Sequence, residues 1–233
     1  MKILACCPAC PTESAWLMHA EFEDESILHC RCPRGHESLC LVQNPKYEIH
    51  YEFACLALLD GYHREAISTL AVALERFYEY YIAIVCKTRG VNQQEFDSAW
   101  KLLARQSERQ IGAFLLLYLL ENGRSCDFTP NKHVDLRNKI THQGYIPQYA
   151  EVISYGQMAL SFIVGVIEEF ERLHQTETWK MRPHLESLAK KYSGASNVTS
   201  SLVPTILSHQ VWRKRSFEEG VNNLRAYRDR LYK

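Results

Sequence analysis

The sequence predicts a mainly α protein, a helical bundle preceded by a small β segment built around cysteine. Three observations carry that expectation. Apolar residues recur at three- and four-residue steps through most of the chain after Tyr47, the period of helices that bury one face. Six cysteines (Cys6, Cys7, Cys10, Cys30, Cys32 and Cys40) fall before that point, in a stretch too short to build a core of its own. The full 233 residues, 46% of them apolar, are enough for one sizeable core with a small appendage. The organisation reads as a cysteine-rich segment over 1–45, a helical bundle over 46–193, and a linker with a basic C-terminal helix over 194–233.

Bulk properties narrow the function classes. Lysine plus arginine balance aspartate plus glutamate, 27 against 27, so there is no global attraction to nucleic acid, and any RNA contact must rest on a local patch. The longest apolar runs, Phe114 to Leu120 and Met158 to Ile167, fall well short of the roughly 20 residues that span a bilayer, so a soluble chain with no membrane contact is expected. Ile3-Leu4-Ala5-Cys6 looks like a lipoprotein cleavage box, but too little precedes it for a signal peptide. The uneven spread of the nine cysteines fits a reducing cytoplasm better than a secreted disulfide scaffold, with Cys55 and Cys86 read as small buried hydrophobes.

In the first segment Cys7-Pro8-Ala9-Cys10 has the spacing of a knuckle, a tight turn that leaves two thiolates on one side of a metal. A strand-like stretch, Phe22 to His29, leads to Cys32-Pro33-Arg34-Gly35-His36, where Gly35 can take the left-handed turn and His36 supplies a fourth donor. The set resembles a zinc ribbon. Four N/S ligands close the site, so the metal expected is structural zinc on Cys7, Cys10, Cys32 and His36, contributing much of the segment's folding free energy. Cys30 could replace Cys32, and Cys6, Cys40 and His29 crowd the same region; the plain alternative is thiols merely tolerated in a reduced compartment.

The helices follow in order. Phe53, Leu56 and Ala57 read as a helix stopped at Gly61, and a longer one runs from Tyr62 to about Arg89 with Ala66, Leu70, Ala73, Leu74, Phe77, Tyr81 and Ile84 as its stripe. Tyr78, Tyr80 and Tyr81 either stack bases or belong to the core. Asn92 opens a helix to Ala104, with Glu95 in its first turn. Ser107 to Asn122 is apolar enough over Ile111 to Leu120 to read as a buried helix, and Gly123 ends it. Thr129 or Asn131 can cap the next helix, which Gly144 and Pro147 terminate. A long helix spans about Gln148 to His174, with Val152, Tyr155, Ala159, Phe162, Ile163, Val166, Ile167 and Phe170 on its apolar side. Trp179 to Tyr192 reads as a further helix and Ser193 to Ser201 as a linker of small polar residues. The last 32 positions, Leu202 to Lys233, carry Arg213, Lys214, Arg215, Arg225, Arg228, Arg230 and Lys233, either a contact surface for RNA or a partner, or the solvated face of an amphipathic helix.

The stretch with the clearest chemistry is Leu136-Arg137-Asn138-Lys139-Ile140-Thr141-His142-Gln143-Gly144-Tyr145. Arginine holds phosphate through paired donors, and histidine alone has an unperturbed pKa close to neutral. Arginine, four residues and then histidine, on a late helix of a helical domain, resembles the signature of the HEPN superfamily; the run from Phe53 to Val85 is similar to an early HEPN helix pair. The resemblance implies a HEPN-like bundle that forms a homodimer and a metal-independent ribonuclease, often part of a toxin or phage-defence system, with Arg137, Asn138 and His142 catalytic. RNA would be the substrate, and an antitoxin or other defence-system protein a possible partner. Glu75 is a candidate to orient Arg137, against the simpler reading of a solvated helix glutamate. Residues five apart lie about 140° apart around a helix, so Arg137 and His142 do not share a face, whereas Asn138 and His142 do. Either the last turn unwinds toward Gly144 or a second copy completes the site. The alternative is a non-catalytic HEPN-like binding, sensor or scaffold module that uses the ribbon and the basic C-terminus for recognition.

Overall fold

The computed structural model describes residues 2–7, 9–10, 17–24, 26–127, 131–178, 181–182, 191–192, 198–203, 205–207 and 216–231. It is mainly helical, with a small sheet built chiefly from the N-terminus. Strands β1 (Lys2–Cys6), β2 (Leu17–Asp24), β3 (Ile27–Arg31) and β4 (Glu37–Val42) form an antiparallel meander. The strand-like stretch Phe22 to His29 is therefore not one strand but the two arms of a hairpin. The polar residues around Ser26 favour a turn over continued pairing. A fifth strand, β5 (Val198–Ser201), pairs parallel to β4. Part of the expected linker thus joins the sheet, because the open edge of β4 offers backbone donors and acceptors that small polar residues can meet as well as apolar ones.

Six helices follow the meander: α1 (Lys46–Leu59), α2 (His63–Thr88), α3 (Gln93–Leu103), α4 (Ser107–Asn122), α5 (Asn131–Gln143) and α6 (Tyr149–His174). Among the described residues one more, α7 (Phe217–Leu231), lies near the C-terminus. The anticipated helix over Trp179 to Tyr192 and the cations Arg213, Lys214, Arg215 and Lys233 lie largely outside the described residues.

Helix α2 is the axis of the bundle, buried on nearly every side between α1, α4 and α6. Rings dominate its contacts. Phe77 meets Phe162 edge-on at 5.6 Å, and Tyr81 meets Phe114 in the same manner at 5.1 Å. Such geometry sets the positive edge of one ring against the negative face of another. Helix α4 departs from its composition. It buries only Gln110, Phe114 and Tyr118 and leaves Leu116 and Leu120 59% and 67% exposed, because a single side of it meets α2. Helix α6 is long and apolar enough to cross a membrane, but its stripe from Val152 to Phe170 is spent on the bundle core.

The C-terminal segment belongs to the same core. Phe217 and Val221 are fully buried, and the Phe217 ring fills the space that a side chain at Gly156 would need. Tyr51 locks the contact by donating to the Gly156 carbonyl at 2.9 Å while its ring meets Phe217 edge-on. Ahead of α7, Val203 and residues 205–207 are held against α1 and the residues before it by side chains. Asn44 accepts from the Val203 amide at 2.7 Å and donates to its carbonyl at 3.0 Å, and Glu52 accepts from the Ile206 amide at 2.9 Å. Glu48 accepts from Asn44 at 2.8 Å and from Thr205 at 3.2 Å. Burial disfavours the charged carboxylates, which pushes both Glu48 and Glu52 up to about 7 despite those donors.

Two outcomes follow from this packing. Gly156→Ala forces the Phe217 ring out of its seat and should lower unfolding stability by about 1–3 kcal/mol in denaturant titrations. Glu48 and Glu52 bind protons more tightly folded than unfolded. Their contribution is full below the ordinary carboxylate pKa of about 4.4 and is lost as pH rises through about 7. Urea midpoints compared between pH 5 and pH 8 should therefore fall less in Glu52→Gln than in the unsubstituted protein.

Candidate functional site

Two sites emerge from the side chains, one in the sheet and one in the bundle. In the sheet, the turn at Cys7 closes through the Cys10 amide to the Cys7 carbonyl at 3.3 Å. The turn after β3 closes through Gly35 N–H to the Cys32 carbonyl at 2.9 Å, with Gly35 at φ +83° where side chains are disfavoured. These turns bring Cys7, Cys10, Cys32 and His36 together, their donor atoms all within 4.8 Å of one another.

The separations match a metal tetrahedron. Bond lengths of about 2.3 Å to sulfur and about 2.05 Å to nitrogen require S···S edges of about 3.8 Å and S···N edges of about 3.6 Å. Cys10 and Cys32 Sγ lie 3.9 Å apart, and His36 Nδ1 lies 3.5, 3.5 and 3.8 Å from Cys10, Cys32 and Cys7. The four residues could hold a metal ion.

Ionisation distinguishes these thiols from their neighbours. Burial opposes charge at Cys32, but hydrogen bonds from the backbone of His36 and Arg34 outweigh it and bring that thiol down to about 7. Burial and the adjacent Cys7 and Cys32 hold Cys10 up at about 11. Cys30, the alternative to Cys32, instead shares a hydrogen bond with Cys40, and that contact together with burial pushes its thiol far up. The geometry places Cys30 with Cys40 rather than with the four donors. The side chain of Cys6 lies outside the described residues.

In the bundle, Glu75 of α2 and Arg137 of α5 form an ion pair, with Nη2 3.2 Å from Oε1. Both are half-buried at the rim of a pocket lined by Leu74, Tyr78, Ile111, Val134 and Tyr155. Burial pushes the Tyr155 phenol up against the opposing pull of Arg137, so it stays a neutral O–H at physiological pH. Tyr155, Ile111 and Val134 carry no sequence signal for a site because their helical period marks them only as core. Asn138 is half-buried and His142 exposed. Helix α5 keeps helical geometry through Gln143, so its last turn does not unwind, and one chain brings Glu75 to Arg137 without bringing His142 to either. Tyr80, a candidate for base stacking, is buried and donates to the Thr178 carbonyl at 2.8 Å.

Titration with Co(II), whose tetrahedral thiolate complexes absorb visible light, should show one ion per chain. Cys7→Ser, Cys10→Ser or Cys32→Ser should weaken binding by more than tenfold, whereas Cys30→Ser should leave both stoichiometry and absorption intact. Comparisons with protein-family models, with curated proteins and with solved structures each return no match to this chain.

Proposed function

We propose that the chain is a metal-independent endoribonuclease of HEPN type, working as a homodimer in a toxin or phage-defence setting, with its N-terminal sheet folded around structural zinc. The observation that carries the reading is the Glu75–Arg137 ion pair at an open pocket. A guanidinium fixed by a carboxylate keeps its remaining donors aimed outward, an arrangement suited to a phosphodiester. The divergence of Arg137 and His142 around α5 supports a composite site in which a second copy supplies the missing partner.

Cleavage then follows from the ribose. The 2′-oxygen attacks the adjacent phosphorus, the bond to the 5′-oxygen breaks, and the products carry a 2′,3′-cyclic phosphate and a 5′-hydroxyl. His142 takes the 2′-hydroxyl proton or delivers one to the departing 5′-oxygen. Arg137 stabilises the charge that grows on the phosphoryl oxygens, and Asn138 holds one of them or sets the imidazole tautomer. DNA lacks the hydroxyl and is not a substrate. Cys7, Cys10, Cys32 and His36 would hold the zinc with all four donors coming from the chain, and it would serve to hold the two turns together.

RNA and DNA of matched sequence, incubated with zinc-loaded protein and no other divalent ion, should separate the possibilities. RNA alone is cut, and Arg137→Ala and His142→Ala each reduce the rate by about 10²-fold or more while the dimer persists. Glu75→Gln should lower the rate less than Arg137→Ala. Intact RNA, or cutting that survives both substitutions, would leave the pair as a structural contact in a binding or scaffold module.

A further inference from the structure

Exposed aromatic residues gather on two adjoining turns beside His142. Tyr62, 61% exposed, sits in the turn between α1 and α2; Tyr145 and Ile146, 38% and 70% exposed, occupy the turn between α5 and α6, and Tyr149, 36% exposed, is the first residue of α6. The turns are tied together. His63, next to Tyr62, makes a 3.1 Å hydrogen bond through Nδ1 with the Pro147 carbonyl, and its ring lies 6.1 Å from that of Tyr149. Tyr145 is fixed at both ends, its amide donating to the Lys139 carbonyl at 3.3 Å and its hydroxyl to Glu151 at 2.8 Å. Glu151 is itself committed, because it also accepts from the Gln148 amide at 2.8 Å and caps α6.

We infer that these turns form a base-stacking platform for single-stranded RNA, the substrate class of the proposed nuclease, with Tyr62, Tyr145 and Tyr149 receiving unstacked bases. The inference rests on the ribonuclease reading for its RNA, but its own support is local. Tyr62 stands well out into solvent, and Tyr145 is held at the surface by a backbone and a carboxylate contact rather than collapsed onto the core, so the rings form a grouped exposed patch rather than single scattered residues. Cations surround them: Lys139 and Arg64 are exposed, and Arg225 is exposed one turn before Arg228, which pairs with Asp60 beside Tyr62. Two exposed acids stand among them, Glu65 and Asp60, the second of them paired with Arg228. Rings that can stack, interleaved with cations that can follow a backbone, are what single-strand recognition requires. A duplex keeps its bases paired and offers no such faces. The platform begins three residues after His142, so bases resting on it would lead the adjoining phosphates toward Lys139 and the motif helix.

Binding should be read apart from cleavage, by fluorescence anisotropy of a labelled single-stranded adenylate oligoribonucleotide with the His142→Ala protein. Tyr62→Ala and Tyr145→Ala should each weaken binding roughly tenfold, and Tyr62→Phe and Tyr145→Phe, which keep the ring, should restore it. Duplex RNA and an abasic strand of equal charge should bind weakly and should not respond to the tyrosines. The platform is overturned if the single strand does not bind, if binding ignores both tyrosines, or if duplex binds equally well. It is also overturned if Tyr62→Ala changes the molecular mass in light scattering and not the RNA affinity, which would make this face a contact between copies. Stacking-dependent binding without any cleavage by the unsubstituted protein would sink the nuclease and leave the platform standing. Cleavage with tyrosine-independent binding would do the reverse.

Discussion

The burial of α2 is the constraint on which the rest depends. A helix enclosed on nearly every side can only exist if other helices surround it, and the aromatic belt of Phe77, Tyr78 and Tyr81 determines which ones approach and how closely. Phe114 from α4 and Phe162 from α6 insert between those rings, so three helices share one ring cluster. Glu75 lies on α2 beside a pocket that α5 leaves partly open, and Arg137 reaches it there. The candidate site is thus a gap in the same packing that makes the core.

The sheet and the C-terminal segment are attached to this bundle through α1. On one side Ile49 and Phe53 join a second cluster with Leu28, Val42 and the cysteines, and Phe22 meets Phe53 edge-on at 5.0 Å. On another, Tyr51 and Glu52 hold the Phe217 ring and the Ile206 backbone. Burying two carboxyl groups to do this is costly unless their lone pairs are met by donors, which Asn44, Thr205 and the Ile206 amide provide. Helix α1 is therefore a common wall between a metal-binding-type sheet and a bundle, and order at the thiol turns is coupled to it through shared apolar contact.

Much of this was legible in the residues. The two knuckle turns announce themselves because a metal site needs few residues at close spacing, and Gly35 marks the left-handed position directly. The stripes of α2 and α6 repeat at the helical period, and the tight stops at Gly61, Gly123 and Gly144 coincide with positive φ. Where the expectation differed, the cause was a partner remote in sequence. The edge of β4 recruits Val198–Ser201 from a stretch whose small polar residues carry no strand pattern. Leu116 and Leu120 are exposed although α4 is apolar, since composition records no neighbour's absence.

What the sequence determined by itself, then, was local: which segments are helices, where they stop, which thiols sit on tight turns, and that Arg137 and His142 point apart around one helix. Those properties follow from periodicity, backbone sterics and short spacing, which act over a few residues. Only the tertiary structure decided that Glu75 meets Arg137 across 62 positions, that Cys32 joins the four donors while Cys30 turns to Cys40, and that Tyr62 and Tyr145 stand on adjoining turns. Each of those pairings is set by how whole helices and strands pack, and packing is selected by the summed burial of many side chains rather than by any one of them.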